Sequence, residues 1–436
     1  MNTTLFSGRK SLFVWISLLL VSTLLLATCG GSSNTGQTGT PTPGKTVTPT
    51  NTTPATGETP TTVPMPATQT SCPPAGAARS AIMANLVRGS DTNLVYVSNQ
   101  GQIDNPVSAT FKRYDPTTKD EADIVTLQHT PINDAQVSAD GKWILFGSAV
   151  EKRSAIQLVR MDGQGLQTVY CSPSGAQGGA TNLEWSPDQK YVAFMEGGNV
   201  NLLDIANGTH SIVLPHSQNL NYVPRTWLDT TRLYLTASLR GTETPPLYHV
   251  SLLDITSGKM QQVLNLPILC GDFDSSIDGT HMFTSQCVAS IPSTGGPSTI
   301  KMLPASGGTG TTIYSTPTYG ITTLRVASPE TLLFVVYNTG VGNIDTSHNG
   351  LWKMNTDGTG LTRLTTEPAD ETTLFNIYTQ FFWSTVSRDG TWYAVQTVNY
   401  ARTAASLSSV LVGPMSGGTP FTLATGPVSL VGWTTM

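Results

Sequence analysis

The chain has 436 residues, a net charge of −5 and only 12% charged residues, about half the share usual in a soluble domain. An apolar leader over 1–28 and a Thr/Pro-rich stretch over 29–71 leave residues 72–436, which suits one large all-β domain or two ordinary ones. With no basic excess there is no electrostatic footprint for nucleic acid, and that partner is excluded; beyond the leader no apolar run is long enough to span a bilayer.

In the leader, Arg9 and Lys10 form a positive start and an apolar stretch follows from Leu12 to Ala27, the length of a secretory h-region. Loss of those two cations takes the mature chain from −5 to near −7. The run ends Leu26-Ala27-Thr28-Cys29-Gly30. It resembles the lipobox of bacterial lipoproteins, in which small residues precede a cysteine that is diacylated and becomes the new N-terminus. Thr28 stands where Gly, Ala or Ser is usual. The resemblance implies lipidation of Cys29, attachment to the membrane through that lipid, and a location on the extracellular or periplasmic side. An uncleaved anchor and an ordinary secreted protein are the alternatives. Two acyl chains suffice for stable anchoring, since each buried CH₂ contributes about 0.8 kcal/mol.

Residues 30–71 hold fifteen Thr and seven Pro, no aromatic residue, and only Lys45 and Glu58 as charges. Such a segment buries too little apolar area to offset its ordering entropy and is expected to be a disordered spacer. Its reach is about 35 Å as a coil and up to roughly 130 Å as polyproline II.

From residue 92 a pattern repeats every 41–59 residues or so: a short strand, a tight Asp-Gly-like turn, and a second strand rich in β-branched and aromatic residues. The strand-turn segments include Val137-Ser138-Ala139-Asp140-Gly141, Trp185-Ser186-Pro187-Asp188, Trp227-Leu228-Asp229, Phe273 through Asp278-Gly279, Val326 through Glu330, and Val386-Ser387-Arg388-Asp389-Gly390. A second Gly turn joins the third and fourth strands, as at Asp162-Gly163, Asn207-Gly208 and Asp357-Gly358, because such turns need φ > 0. Four antiparallel strands per repeat, too few to bury both faces alone, predict the blades of a β-propeller. The segment Trp-Ser-Pro-Asp followed by an apolar strand resembles the repeats of TolB-like propellers. TolB has an additional N-terminal domain, so the resemblance implies the repeat fold over 92–436 and not the Tol-system role.

The first repeat shows three strands, Asn93–Val97, Ala109–Tyr114 and Asp123–Leu127, and a spare strand closes the chain at Val428–Trp433. If the last completes the first blade, the ring closes with no open edge and has seven blades. Counting Ser80–Leu86 as a strand gives a different closure, and six or eight blades are the alternatives.

Besides Cys29 there are four cysteines, an even number that suits two disulfides in an exported chain. Cys270 and Cys287 flank the Asp278-Gly279 turn symmetrically, which predicts a cross-strand bridge. By elimination Cys72 joins Cys171; free buried thiols are the alternative.

The second-to-third and fourth-to-first connections are long, at 98–108, 171–180, 214–222, 238–246, 338–349, 366–378 and 397–408, and share one face. Any binding site is expected there, over the central channel. Its candidate polar residues are Lys152, Arg153, Arg240, Asp345, His348, Asn399, Tyr400 and Arg402. His129, His216 and His348 fall on the same face, but their spacing matches no ligand motif, and neither metal nor cofactor is expected. Trp185, Trp227, Trp383 and Trp433, at or near first-strand ends, are read as blade core rather than sugar platforms.

No H-E-x-x-H, G-x-S-x-G, P-loop, dinucleotide fingerprint or calcium loop is present. Propellers attached to serine peptidases carry similar repeats, but the sequence stops at Met436, so a peptidase is not expected. The sequence therefore reads as an all-β, lipid-anchored, monomeric propeller acting as a non-enzymatic binding or scaffold module for protein or glycan partners. The alternative is a propeller enzyme, a lyase or hydrolase of extracellular polymers acting at the channel mouth.

Overall fold

The computed structural model describes residues 69–74, 77–101, 105–173, 179–217, 220–239, 247–267, 271–287, 297–338, 346–366, 373–376, 384–399 and 408–436. These residues form twenty-eight strands in seven four-stranded antiparallel sheets, with no α-helix among them. The seven-bladed propeller expected from the repeats is the observed fold. At one edge of each sheet stand β28 (Val428–Thr435), β4 (Asn133–Val137), β8 (Thr181–Trp185), β12 (Leu220–Trp227), β16 (Asp272–Ser275), β20 (Ile321–Ser328) and β24 (Thr373–Asn376). Several of these first strands approach the next, β28 to β4 to β8 to β12 and β16 to β20, so they are the inner strands around the axis. We number the blades 1 to 7 in that order.

Closure occurs as the sequence suggests. β28 pairs antiparallel with β1 (Thr92–Gly101), from Thr92 opposite Thr435 to Ser98 opposite Val428. Seven apolar clusters hold the ring, one at each blade junction. Both faces of every sheet are thus buried against neighbours, which a four-stranded sheet could not achieve alone. Trp185, Trp227 and Trp433 lie in these junctions at 3% exposure or less, as core residues; Trp383 lies outside the described residues.

The repeated turn has one chemistry. In Ser138-Ala139-Asp140, Ser186-Pro187-Asp188, Ser276-Ile277-Asp278 and Ser387-Arg388-Asp389 the serine hydroxyl donates to the aspartate. The same serine oxygen accepts the first N–H of the next strand, from Trp143, Tyr191, His281 and Trp392, at 2.9–3.0 Å. Side-chain acceptors at a tight turn satisfy amides the ladder leaves over, which is why Ser and Asp recur there.

Two expectations need correction. Ser80–Leu86 is not a strand but part of a strap. Gln69 pairs parallel with Gln167 on β7 (Gln167–Cys171), the outer strand of blade 2, and Ala78 pairs antiparallel with Tyr170. The strap covers an edge that would otherwise be open, then continues past Asn85, which accepts from Lys142 Nζ at 2.6 Å. In blade 7 the pairing inner strand is Thr373–Asn376, and Val386 makes only an isolated bridge to Tyr393. A segment of nine residues separates Asn376 from Val386, so the turn motif alone misplaced that strand.

Cys72 and Cys171 are disulfide-bonded, as elimination suggested. Asp272 stands opposite Ser285 and Phe273 opposite Thr284, the register from which the Cys270–Cys287 bridge was predicted. Cys287 is disulfide-bonded; Cys270 lies outside the described residues.

Candidate functional site

Inner strands carry polar side chains that bind the backbone of the next blade. Asp134 accepts from Asn182 N at 2.8 Å, Gln136 from Trp185 N at 3.2 Å, Asp272 from Leu324 N at 3.1 Å and Asp274 from Val326 N at 2.9 Å. An inner strand has one unpaired edge, and these carboxylates and amides satisfy its amides without closing the channel.

At blades 4 to 6 the same positions assemble an ionic cluster. Asp272 takes Arg325 Nη1 at 2.5 Å and Arg225 Nη2 at 3.3 Å. The Asp272 and Arg325 side chains are 10% and 11% exposed, while Arg225 is 40% exposed. Arg225 sits between buried Pro224 and Thr226 on an inner strand. That strand is one of those around the axis of the ring. A β-bulge places it there: Pro224 faces Leu235 and Thr226 faces Tyr234 on β13 (Arg232–Leu239), which leaves Arg225 unopposed.

Behind the cluster, burial pushes the Asp274 carboxyl up from 3.8 to about 6, partly offset by Arg325 and the Val326 N–H. A carboxyl with a folded pKa above its unfolded one stabilises the fold while protonated and loses that contribution as pH rises through about 6. The Asp274 share of stability is expected to fall by about 2–3 kcal/mol as pH rises from 4 to 7. Urea unfolding of Asp274→Asn across that range should show a correspondingly flatter pH dependence; an unchanged slope would refute the assignment.

A second group stands on the long-loop face of blade 6. Tyr319, His348 and Trp352 form a row of near-parallel half-buried rings, with centroids 4.6 Å apart for the first pair and 6.3 Å for the second. Arg363 on β23 (Thr362–Thr366) lies over the Trp352 ring at 5.8 Å. The Trp352 indole N–H donates to His348 O at 2.9 Å. Two buried asparagines tie the loops that carry the row. Asn349 exchanges hydrogen bonds with the Asn338 backbone, and Asn338 Oδ1 accepts from Gly320 N at 2.9 Å. Such a row can pack against the apolar face of a sugar or a side chain.

Of the residues predicted from sequence, His348 alone among the described ones joins a cluster. Glu151 and Lys152 form a two-residue turn with φ of 50° and 62° between β5 (Trp143–Val150) and β6 (Arg153–Arg160). This connection is short rather than long. Arg153 pairs there with Glu151 at 3.3 Å, beside the strap and not at the channel. Asn399 ends β25 (Trp392–Asn399), paired with Thr373. Arg240, Asp345, Tyr400 and Arg402 lie outside the described residues. Sequence reading missed Arg225, Asp272 and Arg325 because inner strands were treated as packing. Their separations of 47 and 53 residues, about one repeat each, were the available signal.

No protein-family model matches the sequence, and no curated protein does. Solved structures share the fold. An oligogalacturonate lyase in complex with manganese has 14% identity and a TM-score of 0.51, over 78% of this chain and 86% of that one. A prolyl endopeptidase has 9% identity and a TM-score of 0.52, with this chain spanning half of that one. TolB from Acinetobacter baumannii has 13% identity and a TM-score of 0.42, over 78% and 82%.

These findings overturn the expectation that the chain is not an enzyme. The fold taken for a passive platform is also that of enzymes. In a propeller, groups converge from different blades, so the lack of a contiguous catalytic motif does not argue against catalysis. Among the described residues no three His, Cys, Asp or Glu side chains converge as metal ligands, so the described part does not fit the manganese of the lyase.

Proposed function

We propose that this protein is an exported propeller enzyme, a lyase or hydrolase of extracellular polymers that works at the mouth of its central channel. The supporting observation is the likeness to oligogalacturonate lyase over 86% of that chain, since a propeller with little else is there an enzyme. The channel of this chain adds ionic groups, Arg225, Asp272 and Arg325, where Ser, Thr and Gly alone would leave nothing to bind or polarise a substrate. A signal peptide over 1–28, lipid on Cys29 and a spacer over 29–71 would hold the propeller at 72–436 away from the membrane surface.

Incubation of the detergent-purified protein with pectate, alginate, hyaluronate, xylan and a neutral glucan tests the reading. Ultraviolet-absorbing unsaturated ends identify a lyase, and new reducing ends without them a hydrolase. Neither product from any of the five would overturn it. Labelling with radioactive palmitate is expected in the wild type and absent in Cys29→Ser; equal labelling would refute the anchor.

A further inference from the structure

We propose that Arg225 is the recognition residue of a carboxylate subsite in the channel, and that the polymer is therefore an acidic, carboxylate-bearing glycan. This rests on the channel being the working site, as proposed above, and adds the class of substrate.

The argument comes from how the charges are partnered. One cation balances the charge of Asp272: Arg325 holds Oδ2 at 2.5 Å, where the Leu324 amide also donates, and Arg225 reaches Oδ1. Asp274, the other acid behind the cluster, is engaged by the Val326 and Ser275 amides. Arg225 is therefore a second cation beside a carboxylate whose charge Arg325 already balances. Among the described residues it makes one contact, the 3.3 Å contact to Asp272, through one of five N–H groups. Its remaining donors form a fork that matches a carboxylate bidentately.

The backbone supports the same role. Arg225 is the bulged residue of its strand, a device that re-aims a side chain. A structural arginine would be sheathed like Arg325. Arg225 instead keeps 40% of its side chain exposed. A ligand carboxylate can accept from the free N–H groups of Arg225 while the Arg225 contact to Asp272 Oδ1 is kept, which adds charge-assisted bonds without orphaning that oxygen.

Isothermal titration of the purified full-length protein with trigalacturonate, neutral maltotriose and sodium sulfate tests this in the wild type, Arg225→Gln and Arg225→Lys. Trigalacturonate is expected to bind the wild type, about tenfold or more weakly to Arg225→Gln, and with intermediate affinity to Arg225→Lys, which keeps the charge without the fork. Maltotriose and sulfate are expected not to bind. Absence of trigalacturonate binding, equal affinity in Arg225→Gln, equal binding of maltotriose, or binding of sulfate alone would each overturn the proposal. Urea midpoints check that the variants fold; the Lys variant decides if the Gln variant does not. Binding that depends on Arg225 without turnover of any polymer would leave the subsite and reject the enzyme. Turnover of a neutral polymer unaffected by Arg225→Gln would do the reverse.

Discussion

Substitution of Arg388 by methionine is expected to destabilise the propeller by about 3–5 kcal/mol, read as a lowered urea midpoint. Arg388 lies in the turn after the inner segment of blade 7, yet its guanidinium donates to Ala139 O and Ser138 O at 2.7 Å and to Trp433 O at 3.1 Å. The first two belong to the first turn of blade 2 and the third to the closing strand β28. One side chain therefore ties blades 7, 1 and 2 where the two ends of the chain meet. Burial lowers its pKa to about 10, still high enough to keep it charged at neutral pH. Methionine preserves the stem and removes all three of these donations, although Ser138 O keeps the Gly141 amide at 2.9 Å.

Lysine in the same place keeps a charge but not the planar fork, and is expected to recover less than half of the loss. Gly141 is part of the arrangement: its φ is 73°, and a Cβ there would sit 3.0 Å from Thr434 Oγ1 and 3.4 Å from the guanidinium. A loss below about 1 kcal/mol in Arg388→Met would show that closure rests on the β28–β1 ladder and its apolar junction alone.

The second large effect is expected from the Cys72→Ser, Cys171→Ser double variant. The bridge joins residues 99 apart, and a closed loop of that length restricts the unfolded chain by about 4–5 kcal/mol in the chain-entropy account. What remains to hold the strap is a set of hydrogen bonds: Gln69 with Leu166 and Thr168, Thr70 with Thr168, Arg79 with Thr168 and Val169, Ala81 with Ile205, Ile82 with Gln167, and Asn85 with Lys142 and Arg160. Stability is expected to fall by about 3–5 kcal/mol. The Thr168 amide, which donates to Gln69 O at 2.8 Å, is expected to lose hydrogen-exchange protection, while amides within blades 4 to 6 keep theirs. Full protection at Thr168 would mean that the strap docks without its bridge.

How much could be read before folding differs between scaffold and site. The Ser-x-Asp turns, the Gly positions with φ > 0 and the β-branched second strands are local signals, each decided within a few residues. Blade number, ring closure and the buried role of Trp185, Trp227 and Trp433 were therefore legible. The inner strand of blade 7 was not, because the turn after Val386 looked complete although the pairing strand lies at Thr373–Asn376. The site residues chosen from the loops were those that looked chemically able, and among the described ones only His348 proved to have company there, in Tyr319 and Trp352.

By itself, then, the sequence determined a repeating four-stranded unit, since backbone conformation and turn chemistry follow from near neighbours; closure through the last strand and the pairing of Cys72 with Cys171 could be suggested from counting strands and cysteines, but the tertiary structure decided between them and their alternatives. Tertiary structure alone decided that Arg225, Asp272 and Arg325 meet beside the channel and that Arg388 reaches two other blades. Those contacts join residues from 45 to 250 positions apart, and the curvature of the closed ring, not any local preference, brings them within hydrogen-bonding distance.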